Sequence, residues 1–315
     1  MGDHTHSKGG WMLSYRYMNM HMEGMRQGTS SVSNAQLSAD NYAVTPTKMI
    51  KEMHMMGLMY APTDNLTLML MSSYNFIEMD HTILFAPLAN FNNGSSSFTT
   101  NTEGVGDTKL TALYNLVHNN NVKLHIGLGL SMPTGSISEQ DKTPAAGQPL
   151  VDRQLPASMQ LGTGTWDIHP SITFVHDFSY LSYGLQIRGA IRPHDNNHHY
   201  RWGDEFATDI WSAWKVADWI SLNVGLGYKW QDDLKGNQSN IATTSPAGRT
   251  VTTAYAENYG FQELDVNFGL NIQVPHEAFD NHQLGIDAKL PLFRDHNGYR
   301  LENDYMITVG YKLLF

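Results

Sequence analysis

The sequence predicts an all-β protein, a 12-stranded antiparallel transmembrane β-barrel, from three observations. Period-2 alternation of apolar and polar residues recurs along the chain, the alternating segments are even in number, and short connections alternate with long ones. From Leu301 to Phe315, residues Tyr305, Ile307, Val309, Tyr311, Leu313 and Phe315 share one parity, while Asp304, Thr308, Gly310 and Lys312 share the other. Successive strand side chains point to opposite faces, so this segment has an oily face, a polar face and a terminal aromatic. A soluble edge strand could look the same, which leaves the decision to the rest of the chain.

The same alternation marks strands at 11–23, 48–61, 65–79, 105–118, 121–133, 164–177, 180–192, 204–217, 219–231, 258–274, 282–292 and 301–315. Tight turns are expected at Pro62-Thr63-Asp64, His118-Asn119-Asn120, Phe178-Ser179 and Ala217-Asp218, with a slightly longer one from Pro275 to Asn281. Longer loops are expected at 24–47, 80–104, 134–163, 193–203 and 232–257, and a brief one at 293–300. Short periplasmic turns and long extracellular loops produce this rhythm in an outer-membrane barrel, whereas a β-sandwich has no reason to. Residues 1–10 then form a periplasmic N-terminal segment, and 11–315 form a single barrel.

The two faces stay distinct from strand to strand. The lipid side takes Val122, Leu124, Ile126, Leu128 and Leu130, then Ile220, Leu222, Val224, Leu226 and Tyr228, with Leu264 to Ile272 and Leu284 to Leu290 in the same phase. The lumen side takes Lys109, Lys123, His125, Asp167, His169, Arg188, Asp209, Lys229, Glu263, Asp265, Asp287 and Lys289. Trp11, Trp166, Trp214, Trp219 and Trp230 fall near strand ends, where aromatic girdles belong.

Composition agrees. A mean hydropathy of -0.36 and the lack of any apolar run of about 18 to 20 residues exclude a helical membrane protein, but not a barrel. The chain has no cysteine, hence no disulfide, thiolate metal site or cysteine nucleophile. Its net charge of -10 disfavours nucleic acid as a partner. The N-terminus shows no apolar signal segment, so the chain is read as the mature form of an exported protein in the bacterial outer membrane. Its expected partners are outer-membrane lipids, a small-molecule or metal-ion solute, and the assembly machinery that would read Phe315.

Several segments resemble the family of outer-membrane transporters named for the meta-pathway of phenol degradation. They are Gly104-Val-Gly-Asp107-Thr-Lys109-Leu-Thr-Ala-Leu-Tyr114, then Leu124-His-Ile-Gly127-Leu-Gly129-Leu-Ser-Met-Pro133-Thr-Gly135, then Leu155-Pro156 and Gln160-Leu-Gly162-Thr-Gly164-Thr-Trp166. The resemblance covers most of the chain from residue 104 onward and implies a transport barrel. It brings no catalytic residues, and the methionine-rich N-terminal third is similar to a subgroup with no established substrate.

Of 17 methionines, fourteen fall before residue 80. With Trp11, Leu13, Tyr15 and Tyr17 facing lipid, Met12, Arg16, Met18, Met20 and Met22 turn inward. Leu58 and Tyr60 outward leave Lys51, Met53, Met55, Gly57 and Met59 inside, although Glu52 and His54 then face outward. Leu66, Leu68, Leu70 and Tyr74 outward place Met69 and Met71 inside. One sector of the lumen would carry about nine thioethers. Thioether sulfur is uncharged and prefers Cu(I) or Ag(I) to hard ions, and His4 and His6 could deliver or receive such an ion. Flexible methionine also fills irregular space and lines apolar slides, so packing, an apolar slide and soft-metal contact all stay open.

His194, His198 and His199 in the fourth long loop could bind a metal with His81 or His296, although solvated loop histidines are the commoner outcome. His176 and Ser212 share the outward parity without forming a convincing pair, and no nucleophile motif is present. The chain is therefore expected to be a passive channel, not an enzyme. Arg16, Lys51, Lys109, Lys123, His125, Asp167, Arg188, Asp209, Glu263, Asp265 and Asp287 would tune its charge preference. A closed metal-binding or structural envelope barrel is the alternative. The sequence requires no cofactor, and Cu(I) or Ag(I) is the candidate metal.

Overall fold

The computed structural model describes residues 4–119, 121–274 and 281–315. Of the expected turn residues, 120 and 275–280 lie outside that set. In chain order the strands begin with β1 (Trp11–Gly28), β2 (Ser30–Val32), β3 (Tyr42–Thr63), β4 (Leu66–Ile83), β5 (Ser97–Val105), β6 (Thr108–His118) and β7 (Val122–Met132). They continue with β8 (Gln140–Thr143), β9 (Val151–Gln154), β10 (Asp167–Asp177), β11 (Leu181–Ala190), β12 (Tyr200–Arg201) and β13 (Glu205–Ala217). The last are β14 (Ile220–Gln231), β15 (Lys235–Gly236), β16 (Thr244–Ser245), β17 (Gly248–Val251), β18 (Phe261–Gln273) and β19 (His282–Leu314). One short helix, α1 (Asn34–Ala39), starts where the Ser33 hydroxyl accepts the Gln36 N–H.

Eleven of these strands close into an antiparallel barrel in the order β3-β1-β19-β18-β14-β13-β11-β10-β7-β6-β4, with β4 pairing back onto β3. Closure pairs these eleven strands on both sides and leaves edges to the short strands of the connections. Register carries the apolar rows around the wall: Leu13 pairs with Leu58, Leu58 with Leu70, Leu70 with Leu110, and Leu110 with Leu130. Ile172, Ile187, Ile210, Leu226, Phe268, Ile286 and Val309 continue this band, all exposed on the outside. The five tryptophans expected near strand ends are exposed as well. No helix among the described residues is long and apolar enough to cross a membrane, which has no bearing on crossing by strands.

Three differences from the expected strands have a physical basis. Strands β1, β3 and β4 run beyond 23, begin before 48 and run beyond 79. Past the apolar band the strands pack under the long connections, where Met25, Tyr42, Ala43, Val44 and Ile83 are buried, so the lipid-facing alternation fades from the sequence while the hydrogen-bond ladder continues. The expected 105–118 strand is part of a longer run broken at Gly106-Asp107: β5 pairs with the far half of β4 and β6 with its near half. The expected loop at 293–300 lies within β19. That strand pairs with β18 from Gln283 to His296 and with β1 from His296 to Leu314, and Leu314 N–H donates to Asn281 O (3.0 Å). The long connections gather at the end of the barrel opposite Trp11.

Candidate functional site

The inner parity of β1, β3 and β4 brings the methionines into facing rows. Met12 pairs with Met59 and Met59 with Met69; Met18 pairs with Met53; Met22 pairs with Met49 and Met49 with Met79. Directly paired residues have Cβ atoms about 4.5–5.5 Å apart, close enough for thioethers to touch. Met55 pairs with Arg16, Met71 with Gly57, and Met20 with Lys51. The outward phase of Glu52 and His54 is satisfied by tyrosines. Tyr17 donates its hydroxyl to Glu52, and the Tyr15 hydroxyl lies 2.7 Å from His54 Nδ1.

Burial divides these rows into three levels. Near the Trp11 end, Met12, Met59 and Met69 are buried with Leu113, and Leu314 packs beside them. Toward the loop end, Met22, Met49 and Met79 are buried with Ile77 and Leu301, with Met20 alongside. Between these clusters Met18, Met53, Met55 and Met71 are only half-buried. Lys51 lies among them with no ion-pair partner among the described residues.

The upper methionine cluster also contains Leu155, Met159 and Leu161, which come from the connection between β7 and β10. That connection folds inward because of a clasp. Asp107 Oδ1 accepts Gly135 N–H (2.9 Å), and Oδ2 accepts Thr163 N–H (2.8 Å) and the Thr163 hydroxyl (3.0 Å). A Cβ on Gly135 would lie 2.8 Å from Gly162 Cα, so bare backbone is required there. Asp107, Gly135, Gly162 and Thr163, quoted above only for a family resemblance, therefore meet in space. Their Gly-Asp and Gly-Thr-Gly spellings were the available signal for a tight tertiary contact.

On the opposite wall lies a series of cavities. One of about 570 Å³ at the Trp11 end is lined by His4, Met12, Trp219, Lys312 and Leu314. A second of about 370 Å³ shares Ala213, Asn271, Gln283 and Lys312 with it, and adds Arg16, Arg188, Asp209, Trp211, Asp287 and Lys289. A third of about 350 Å³ shares Gln186 and Arg188 with the second, and adds Met69, Lys109, His169 and Glu205. Interior charges pair with one another, mostly between neighbouring strands: Arg188 with Asp209 (2.8 Å), Lys289 with Asp209 (3.7 Å), Lys229 with Glu205 (2.9 Å), Lys123 with Asp177 (2.8 Å) and Arg192 with Asp167 (3.2 Å). Glu263 accepts both of its bonds from Asn303 Nδ2 and faces the buried His296 at 3.7 Å. Asp265 is in register with Gly227, and buried His125 with Thr173. Trp211 was not anticipated as an interior residue. Its indole covers Gly184, where a Cβ would lie only 2.2 Å from the ring.

The N-terminal segment is tied to the same end. The Thr5 hydroxyl donates to Asn115 Oδ1 (2.9 Å), His6 N–H to Thr67 Oγ1 (3.1 Å) and Lys8 N–H to Asp64 Oδ1 (2.8 Å). The His4 and His6 rings stand edge to face, 5.1 Å apart.

The loop histidines stay apart. His194 Nε2 accepts the Trp166 N–H (3.3 Å), His296 is buried beside Glu263, and His81 stacks on Phe98. Among the described residues, the one group of three His, Asp or Glu side chains close enough to share a cation is His21, Glu23 and Asp304. His194, His198 and His199 therefore do not converge with His81 or His296. On the outer face, His176 Nδ1 lies 2.8 Å from the Tyr183 hydroxyl, while Ser212 donates to Ser182 O, so the two form no pair.

Above the barrel the connections form a cap. Ala157, Tyr200, Leu234 and Tyr259 are buried together, and burial pushes the Tyr200 hydroxyl up to about 12. The Lys235 ammonium, 2.6 Å from Asp232, holds that carboxyl below its ordinary range.

The sequence model of a family described as MetA-pathway of phenol degradation matches residues 73–281. No curated protein matches the chain in sequence. Among solved structures, it is similar to the COG4313 outer membrane channel from Pseudomonas putida F1, with 15% identity, 99% of this chain and 98% of that one covered, and a TM-score of 0.67. It is also similar to the β-domain of the Bordetella autotransporter BrkA, with 10% identity, 98% and 100% coverage and a TM-score of 0.51. The P. putida toluene transporter TodX aligns with 11% identity, 98% and 91% coverage and a TM-score of 0.48. At such identities the likeness lies in the fold.

Proposed function

The chain belongs to the MetA-pathway of phenol degradation family, and on that premise we propose that it is a passive outer-membrane channel for small, uncharged, largely apolar solutes. The barrel sits in the outer membrane through its apolar band, in line with the fold it shares with a solved outer-membrane channel. The two halves of β19 count as two crossings, which makes twelve. The described tight connections and residues 4–10 then face the periplasm, and the long connections face outward.

One observation carries this reading: three interior cavities that share lining residues extend inward from the Trp11 end, past Arg188. Interior ion pairs neutralise most charges along them, and the half-buried Met18, Met53, Met55 and Met71 offer an adaptable apolar surface between two packed clusters. Folded protein in planar bilayers is expected to give discrete conductance steps and to speed entry of neutral solutes into vesicles. Absence of both would overturn the channel.

Soft-metal passage is a second reading, favoured by the Met18–Met53 pair and by Met55 and Met71 nearby. Lys51 opposes it, because a cation among the thioethers repels another at short range. An Ag(I) titration of the folded barrel against a variant with Leu at 18, 53, 55 and 71 separates the two. Equal binding by both proteins is expected, and tight binding lost in the folded variant would establish a metal path.

A further inference from the structure

The long connections enclose a cavity of about 470 Å³ that is separate from the interior series. Most of its wall is apolar, supplied by Phe85, Leu88, Phe98, Leu155 and Met159 among others. Of the polar side chains that interrupt that wall, two are buried, His81 and Thr100, while the others, such as Thr143, Gln148 and Arg153, are half-buried or exposed. His81 is 6% exposed and Thr100 is 1% exposed, and neither His81 Nδ1 nor Thr100 Oγ1 has a hydrogen-bond partner among the described residues. Leaving a buried polar atom unpaired forfeits its hydration with nothing in return, so two in one largely apolar cavity demand a reason.

A neighbour on the same strand face shows the alternative, a hydroxyl paired within the protein. Thr102, two residues along the same face of β5, donates its hydroxyl to Met159 O at 2.8 Å. His81 and Thr100 are diagonal neighbours, since His81 pairs with Phe98 and Met79 pairs with Thr100. Diagonal neighbours lie roughly 7 Å apart, so a single oxygen between their side chains can reach both. The His81 ring is stacked on Phe98 with centroids 4.6 Å apart and an angle of 2°, which covers a face of the ring and leaves Nδ1 unpaired.

We propose that this cavity captures a small uncharged molecule, apolar except for one hydroxyl group, whose oxygen bonds to His81 and Thr100. A hydroxyl both donates and accepts, so it satisfies either tautomer of the imidazole and the threonine hydroxyl together. The cavity suits no anion. Its one permanent cation, Arg153, donates to Thr143 O, Gln148 Oε1, Val151 O and Pro149 O within its own loop. Leu155 and Met159 line this cavity and also belong to the upper methionine cluster. A bound molecule therefore rests directly above the thioether rows. This deepens the channel reading by naming its solute class and first resting place, although binding at equilibrium does not depend on passage.

Fluorine NMR of the detergent-folded protein tests it with 4-fluorophenol, 4-fluorotoluene and 4-fluorobenzoate, with empty micelles as the baseline. The expected result is a preference of about tenfold for 4-fluorophenol over 4-fluorotoluene. Thr100→Val and His81→Phe should each reduce 4-fluorophenol binding by about fivefold while leaving 4-fluorotoluene unchanged. Ala146→Trp, which fills the cavity and keeps both polar groups, should abolish binding of both, with heat-modifiable mobility confirming that each variant folds. Equal binding of the phenol and the toluene, a preference untouched by both polar substitutions, tightest binding of the benzoate, or no binding at all would overturn the proposal. Bilayer conductance of Ala146→Trp separates this outcome from the channel itself: lost binding with retained conductance localises the fault to the cavity, and retained binding without conductance removes the channel but not the site.

Discussion

An indole lying on bare backbone sets the bore of the barrel at one level, where Trp211 covers Gly184 and lines the cavity shared by Arg16, Arg188 and Asp209. Gly184→Val would force the ring from its place, at a cost of about 1–3 kcal/mol, read as a lower denaturant midpoint and a shifted tryptophan emission. Trp211→Ala should instead raise single-channel conductance, because it removes bulk from the cavity wall and leaves the strand ladders intact. Individual side chains were unevenly legible. Those on the outer face followed from parity alone, since lipid tolerates one kind of residue. Trp211 was not anticipated, because nothing in an alternating strand distinguishes an inward tryptophan from a misphased outward one until its glycine partner on β11 is known.

Elements behaved in the same divided way. Strands were recognised wherever one face meets lipid, and they were cut short where the strand passes under the connections, as at the far ends of β1 and β4, where Met25 and Ile83 are buried. Segment 134–163 gave no usable pattern, because what shapes it is Asp107, which precedes it in sequence. Asp107→Ala removes three hydrogen bonds to one carboxylate, each worth about 1.5–3 kcal/mol singly and less in sum. Limited proteolysis should then cleave between residues 134 and 163, which the native clasp protects, while the barrel itself keeps its heat-modifiable mobility. Release of the segment would also withdraw Leu155, Met159 and Leu161 from the methionine cluster, so conductance should rise. A variant that stays resistant to protease would show that the clasp does not hold the loop.

The whole molecule combines a legible wall with a content that only folding assembles. Sequence periodicity was sufficient for the band of exposed leucines and isoleucines. It could not separate packed methionines from accessible ones, because both lie on the same parity and differ only in whether Leu113 or Leu155 comes to meet them. Nor could it foresee a second compartment built from three connections distant in sequence.

The pairing of β1 with β19 has a consequence for time. Most other ladders of the wall join strands adjacent along the chain, whereas here Trp11 N–H donates to Phe315 O (2.7 Å) and Phe315 N–H to Trp11 O (3.0 Å), across nearly the full length of the polypeptide. Such a contact gains nothing until every intervening hairpin has formed, so it belongs to the last kinetic step, and its closure entropy grows only slowly with the span. Deleting Phe315 should therefore lengthen the final phase of refolding into detergent while leaving the early gain of β-structure unchanged, as followed by stopped-flow circular dichroism. An unaltered final phase would place ring closure earlier, and the rate-limiting event elsewhere in the wall.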